Sequence, residues 1–420
     1  MKPEFTIIPN NFQNLPMQNE PIKKPFTTIN ISVKISEFLR VSDDGWTSEY
    51  NSVNNLLLHL KRKSGSLATR RNYLQRIMSF CIYAKMKPEE IIKLPKENTE
   101  SLIQKYTDRY NTSNFSKRTA NNALAALKTF YEANGFKGLN ALQIEGYHVP
   151  TRYRKNNETI PQKHEIYQMA DCACSLRNKA IVLTLYSSGI RTSTLAALTY
   201  KDIKEDLLKG IANLKISIYP EMKNINSDAC KNSLPYYTFI CDEATEAIRL
   251  YLQGRTKKYG LIMDNDPLFA SDYNQIVKEN RKSKFLTQRQ IQILIKESAK
   301  LAGINKWENI TPKCLRKSYE TVTHSETFDG YTLDSKIQEF LMGHVLHGSQ
   351  DNYFDRSKIE QIRMEYSKLK FNRITIENKF KTLRKVIAQA FEGTGEDPDK
   401  LIEDYILKKN LLKKALTEKT

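Results

Sequence analysis

The stretch from Lys179 to Ile203 reads KAIVLTLYSSGIRTSTLAALTYKDI and sets the architecture of the chain's second half. Its apolar residues form two helical runs that break at Ser187-Ser188-Gly189. Arg191 follows the break, which puts a cation close to a core. A half-buried guanidinium there requires an anion, and an ion pair with Asp202 is the structural alternative to a ligand.

Downstream, LKISIYP and LPYYTFI alternate apolar and polar residues as strands do, and QRQIQILIKESAKLAG returns to a helical period. Residues 163–370 therefore read as an α+β domain with a small antiparallel sheet. Upstream, residues 46–147 read as purely helical. Tyr50, Val53, Leu57 and Leu60 share one face, Tyr73, Ile77, Phe80 and Ala84 a second, and Ala123, Leu127, Phe130 and Tyr131 a third. Ser116 stands where an N-cap belongs, and ANGFKG supplies stop glycines. The whole is mainly α.

Residues 1–45 are rich in Pro and Asn without a sustained period and read as an arm. Residues 148–162, HVPTRYRKNNETIPQ, read as a basic linker suited to a clamp around DNA. Residues 371–420 read as a helical tail for oligomerisation or docking. There Ile376, Phe380, Leu383, Ile387 and Ala390 step by four and three, and Leu401, Tyr405, Leu412 and Leu416 mark a second helix.

Across 420 residues, 66 Lys and Arg against 47 Asp and Glu leave a net charge of +19. Such a surface suits a polyanion, and nucleic acid is the commonest one in a cytosol. The amino terminus lacks an apolar signal region, and no stretch approaches the run of about 18 apolar residues that a membrane span requires. A cytosolic, nucleoid-associated protein is expected. Six scattered cysteines argue against a disulfide framework, and the Cys172/Cys174 pair lacks the partners of a zinc site. No metal or other cofactor is expected.

Two basic segments, KRKSGSLATRR and SKRTANN, mix cations with hydroxyls and amides, as phosphate contacts do. With the linker they supply the DNA-binding candidates Lys61, Arg62, Lys63, Arg70, Arg71, Lys117, Arg118, Arg152, Arg154 and Lys155. In TPKCLRKSYET, Thr311 and Pro312 mark a helix start. Lys313 and Arg316 then lie three apart on one face at a helix end of positive dipole. In LMGHVLHGSQDNYFDRS, His344 follows an apolar turn and a glycine, and Tyr353 is delivered nine residues later through a polar loop.

Taken in order, G-I-R-x-S, T-P-x-x-x-R and L-M-G-H with a tyrosine nine residues on resemble the catalytic domain of the tyrosine recombinase (phage integrase) family. The resemblance spans roughly residues 160–370. The helical domain before it resembles that family's SAM-like core-binding domain. It implies that Tyr353 is the nucleophile, that Arg191 and Arg316 are the two active-site arginines, and that His344 is the later histidine. Lys313 occupies a place where the family usually has histidine, a form similar to that of archaeal members. Lys223 and Lys231 both qualify for the family's hairpin lysine, Lys223 being nearer the end of the first strand. Thr194 departs from the acid that many members carry three residues after the first arginine.

The implied activity is site-specific recombination or integration of duplex DNA, as in mobile genetic elements, through a 3′-phosphotyrosine intermediate. The implied assembly is a homotetramer on DNA and a monomer or weak dimer when free. A type IB topoisomerase-like or telomere-resolvase strand transferase is the second reading, and a non-catalytic architectural DNA-binding protein is the third.

Overall fold

A helix buries itself by presenting apolar side chains three and four apart, and most of the chain obeys this rule. The computed structural model describes residues 28–112, 116–149, 158–271, 285–346 and 348–373. It divides into two units, Met1–Tyr153 and Arg154–Thr420.

The first unit contains α1 (Thr28–Leu39), α2 (Asn51–Lys63), α3 (Leu67–Ala84), α4 (Pro88–Ile92), α5 (Lys96–Thr112) and α6 (Lys117–Ala133). The expected faces of α2, α3 and α6 point inward: Val53, Leu57, Ile77, Phe80, Leu127, Phe130 and Tyr131 are fully buried. Ser66 and Ser116 cap α3 and α6 by accepting from the backbone N–H groups of Thr69 and Thr119. The arm expected over residues 1–45 is shorter than its composition suggests. Helix α1 lies within that span, and its Ile35 and Leu39 are buried in the same core. Residues 1–27 of that arm lie outside the described residues.

The second unit runs α7 (Lys163–Asp171), α8 (Leu176–Ser188), α9 (Thr192–Leu195), α10 (Lys201–Leu208), β1 (Lys215–Ile218), β2 (Tyr236–Phe239), α11 (Asp242–Tyr259), α12 (Gln288–Leu301), α13 (Pro312–Thr323), α14 (Ser335–Leu341), α15 (Gln350–Tyr353) and α16 (Ile359–Ser367). The strands pair antiparallel, with Lys215 opposite Phe239 and Ile218 opposite Tyr236. This is the expected mainly helical chain with one small sheet.

Helix α8 is the spine of this unit. Every residue from Ala180 to Ser188 is buried, so the helix is apolar around its full circumference. The two serines survive there because Ser187 Oγ donates to Leu183 O at 2.8 Å and Ser188 Oγ to Thr184 O at 2.6 Å. Packed around it, Phe371 stacks on Tyr319 and Tyr366 with ring centroids 5.4 Å apart in each case. Phe371 therefore closes the core and does not begin a separate tail. The helical pattern expected beyond it, from Ile376 to Leu416, lies outside the described residues.

Candidate active site

Helix α8 stops at Gly189, whose φ of +61° is left-handed. A Cβ there would lie 2.4 Å from the Tyr319 ring, so only glycine permits this turn against that aromatic. The turn delivers Arg191 to the N-cap position of α9, half-buried. The alternative partner Asp202 is already occupied. It accepts from Thr199 N at 2.7 Å, Thr199 Oγ1 at 2.9 Å and Tyr219 OH at 2.8 Å.

Helix α13 starts at Pro312, as expected, although the Thr311 side chain makes no capping bond to the backbone. One turn in, the Arg316 guanidinium donates to the main-chain oxygen of Gly189 and, at 2.6 Å, to that of Met342, and its Nη2 lies 3.2 Å from His344 Nε2. These contacts use three of the five N–H groups of the guanidinium, and the Tyr236 phenol is a further hydrogen-bonding neighbour. Burial pushes the Arg316 guanidinium below its usual pKa, the Arg191 charge pushes the same way, and the Tyr236 phenol opposes both. Arg191 also pulls the Tyr236 phenol down against the upward push of burial, so the two arginines and Tyr236 share one neighbourhood. Among the described residues neither arginine forms an ion pair. Two neighbouring cations, one of them held by neutral main-chain oxygens, make a site that attracts an anion.

Helix α14 ends in Met342 and Gly343, which returns the chain so that His344 N–H donates to Glu339 O at 3.0 Å. Gly343 has φ +65°, and a Cβ on it would lie 2.4 Å from Cε1 and Cζ of Tyr236. A Gly343→Ala substitution is expected to destabilise the protein by about 2–5 kcal/mol, combining left-handed strain with overpacking. A denaturant titration checks this, and an unchanged midpoint contradicts it. The turn sets the His344 ring between two partners, Arg316 Nη2 on one nitrogen and Glu339 Oε2 at 2.7 Å on Nδ1.

Lys313, expected on the same face as Arg316, forms an ion pair with a residue of the expected linker. Its side chain is 70% exposed and its Nζ sits 3.5 Å from Glu158, which also binds Lys317. This pairing with an acid at the end of the expected linker is long-range in sequence, and helix spacing cannot reveal it. Lys223 lies on a 3-10 turn, Pro220–Asn224, between the strands, and donates to Ser233 Oγ at 2.6 Å. Burial raises the Cys230 thiol, while Lys223 and then Arg191 pull it down, which places both cations beside the same sulfur. Lys231 is exposed on the next turn. Tyr353 closes α15 at 85% exposure, and no hydrogen bond holds it among the described residues. The structure therefore places Arg316 against His344 and in the electrostatic neighbourhood of Arg191, with Lys223 near Arg191, while Lys313 and Tyr353 are exposed.

Of the DNA-binding candidates, Lys61, Arg62 and Lys63 are exposed on the last turn of α2, and Lys117 and Arg118 are exposed on the first turn of α6. Arg70 is built into the scaffold instead. Its guanidinium lies 4.9 Å over the Trp46 ring and donates to Asp44 O at 3.2 Å. Arg71 is half-buried, and Arg152, Arg154 and Lys155 lie outside the described residues. No helix among the described residues is long and apolar enough to cross a membrane.

The profile of the phage integrase family matches residues 161–358, and that of the phage integrase N-terminal SAM-like domain matches residues 53–134. The chain is 25% identical over 299 residues to tyrosine recombinase XerC of Thermodesulfovibrio yellowstonii, covering 70% of this chain and 87% of that protein. It is 26% identical over 248 residues to tyrosine recombinase XerA of Pyrococcus horikoshii, covering 57% and 70%. Among solved structures, the Tn1549 transposon integrase in complex with circular intermediate DNA aligns over 74% of this chain and 99% of that one, with a TM-score of 0.49 and 16% identity.

Proposed function

Because the chain belongs to the tyrosine recombinase, or phage integrase, family, we propose that it is a site-specific DNA recombinase or integrase that cleaves and rejoins duplex DNA through Tyr353. The observation that carries this reading is the pair of arginines Arg191 and Arg316, neither in an ion pair among the described residues, with His344 against Arg316 and an exposed tyrosine nine residues after His344.

Attack by a phenolate on a phosphodiester builds charge on the equatorial oxygens of a five-coordinate phosphorus. Cations fixed in advance around those oxygens lower that state more than the ground state. Arg191 and Arg316 bind the non-bridging oxygens. Lys223, beside Arg191, protonates the departing 5′-oxygen. Lys313 joins the phosphate when DNA competes it away from Glu158. The product is a 3′-phosphotyrosyl bond with a free 5′-hydroxyl, which keeps the bond energy so that another strand's hydroxyl reverses the step without a nucleotide cofactor. Recombination of two sites requires strand exchange between paired duplexes, and a homotetramer on DNA meets that requirement.

The test is covalent trapping. The protein is incubated with a nicked duplex carrying an attachment site, and denaturing electrophoresis reads the adduct. An adduct on 3′-phosphate together with hybrid products from two-site plasmids supports recombination. Relaxation without hybrids indicates a topoisomerase-like or telomere-resolvase transferase, and the absence of any adduct indicates an architectural DNA-binding protein.

DNA affinity supplies a separate prediction. Replacing Lys61, Arg62 and Lys63 together by Ala is expected to weaken binding to all sequences alike and to lower the slope of log affinity against log salt by about 2 to 3. Fluorescence anisotropy across a salt series measures it, and an unchanged slope removes these residues from the phosphate contacts.

A further inference from the structure

We propose that Glu339 is a positioning residue that makes His344 the proton acceptor for Tyr353, an inference that rests on the strand-transferase reading above. A guanidinium donates hydrogen bonds and accepts none, so the His344 Nε2 facing Arg316 Nη2 at 3.2 Å carries a lone pair. The proton of the neutral ring then sits on Nδ1, which lies 2.7 Å from Glu339 Oε2 and donates to it. The tautomer is thus fixed from both sides, and the nitrogen left basic is the one in the arginine cluster. The same Glu339 supplies its backbone oxygen to His344 N–H across the helix end, so one residue holds both the ring and the peptide behind it.

Arg191, Arg316, Lys223 and Lys313 are cations and offer no lone pair, which leaves His344 as the nitrogen base of the group. Glu339 and His344 are each about two-fifths exposed at their side chains, so the pair is open to an incoming strand and to the exposed phenol of Tyr353. When a phosphate oxygen takes the Arg316 N–H, Nε2 is released. The phenol O–H bond then breaks and its proton passes to Nε2. The phenolate oxygen bonds to phosphorus while the bond from phosphorus to the 5′-oxygen breaks, and Lys223 gives a proton to that oxygen. The imidazolium that results lies against the Glu339 carboxylate, and the protons return in the reverse half-reaction. A carboxylate behind a catalytic imidazole works in this way wherever the base must be held in one tautomer.

The experiment uses the full chain, a nicked duplex with the ordinary 5′-oxygen, and the same duplex with a 5′-bridging sulfur. Sulfur departs as a thiolate without a proton donor, so it bypasses Lys223 and leaves deprotonation of the tyrosine exposed. Glu339→Ala is expected to slow adduct formation about a hundredfold on both duplexes, whereas Lys223→Ala recovers on the sulfur duplex. Glu339→Gln keeps an acceptor for Nδ1–H and falls between wild type and Ala. The double variant Glu339→Ala, His344→Ala is no slower than His344→Ala alone. The ¹⁵N spectrum of His344 shows a protonated Nδ1 in wild type and loses that signature in Glu339→Ala. A wild-type rate for Glu339→Ala on the sulfur duplex, an additive double variant, a Gln variant slower than Ala, or an unchanged ¹⁵N signature would each overturn the proposal. A wild-type protein that forms no adduct at all instead overturns the reading on which it rests.

Discussion

Tyr353→Phe is expected to form no covalent adduct with DNA and to bind it as the unchanged protein does. The substitution removes a single oxygen from a ring that is 85% exposed and carries no hydrogen bond among the described residues, so folding and DNA contacts are untouched. Losing the nucleophile lowers the chemical step by about 10⁴-fold or more. The other tyrosines near the core are unsuited to replace it. Tyr319 and Tyr366 are buried, burial pushes both phenols well above their ordinary range, and Tyr366 OH is committed to Ser187 O at 2.6 Å. The measurement pairs a denaturing gel with peptide mapping of the linked residue. Residual cleavage by Tyr353→Phe, or a label on any other of the 22 tyrosines, refutes the assignment.

Arg316→Ala is expected to reduce strand cleavage by about 10³ to 10⁵-fold, or about 4 to 7 kcal/mol of transition-state stabilisation, as for other arginines that neutralise a transferring phosphoryl group. Its effect on folding is much smaller because two effects oppose each other. The main-chain oxygens of Gly189 and Met342 lose a donor at about 1 kcal/mol each, while a buried cation beside Arg191 is removed. Arg316→Lys keeps the charge but not the planar fork, and is expected to recover only part of the rate. Single-turnover cleavage and thermal unfolding, measured on the same preparations, separate the two effects. A rate within tenfold of wild type for Arg316→Ala would remove this residue from the site.

Much of the second unit was legible in the sequence because its signals are local. The Ser187-Ser188-Gly189 break, the alternating strands and the Thr311-Pro312 helix start each depend on neighbours along the chain, and each forms where expected. Arg191, Arg316 and His344 were legible as members of ordered motifs. The illegible parts depend on partners far apart in sequence. Lys313 meets Glu158, and Arg70 meets Trp46, and in both cases a cation that reads as a ligand-binding residue is claimed by a distant group. Helix α1 lies in a segment whose Pro- and Asn-rich composition hides the buried pair Ile35 and Leu39. Glu339 stands five residues before His344, a spacing that no regular helix face brings together. It reaches the imidazole only because the chain reverses at Gly343.

The two anchors of Arg316, the carbonyls of Gly189 and Met342, have a consequence for how this protein can change. A carboxylate anchor would be lost with one codon, whereas a main-chain oxygen persists whatever side chain its residue bears, provided the turn around it survives. The Arg316 guanidinium is therefore insulated from most mutations in its surroundings. Variation can accumulate on the basic faces of the first unit without loosening the anchoring of Arg316. An engineering campaign to redirect this protein to a new site would sample those faces freely and leave unsampled the two turn glycines, Gly189 and Gly343, together with the site residues they position.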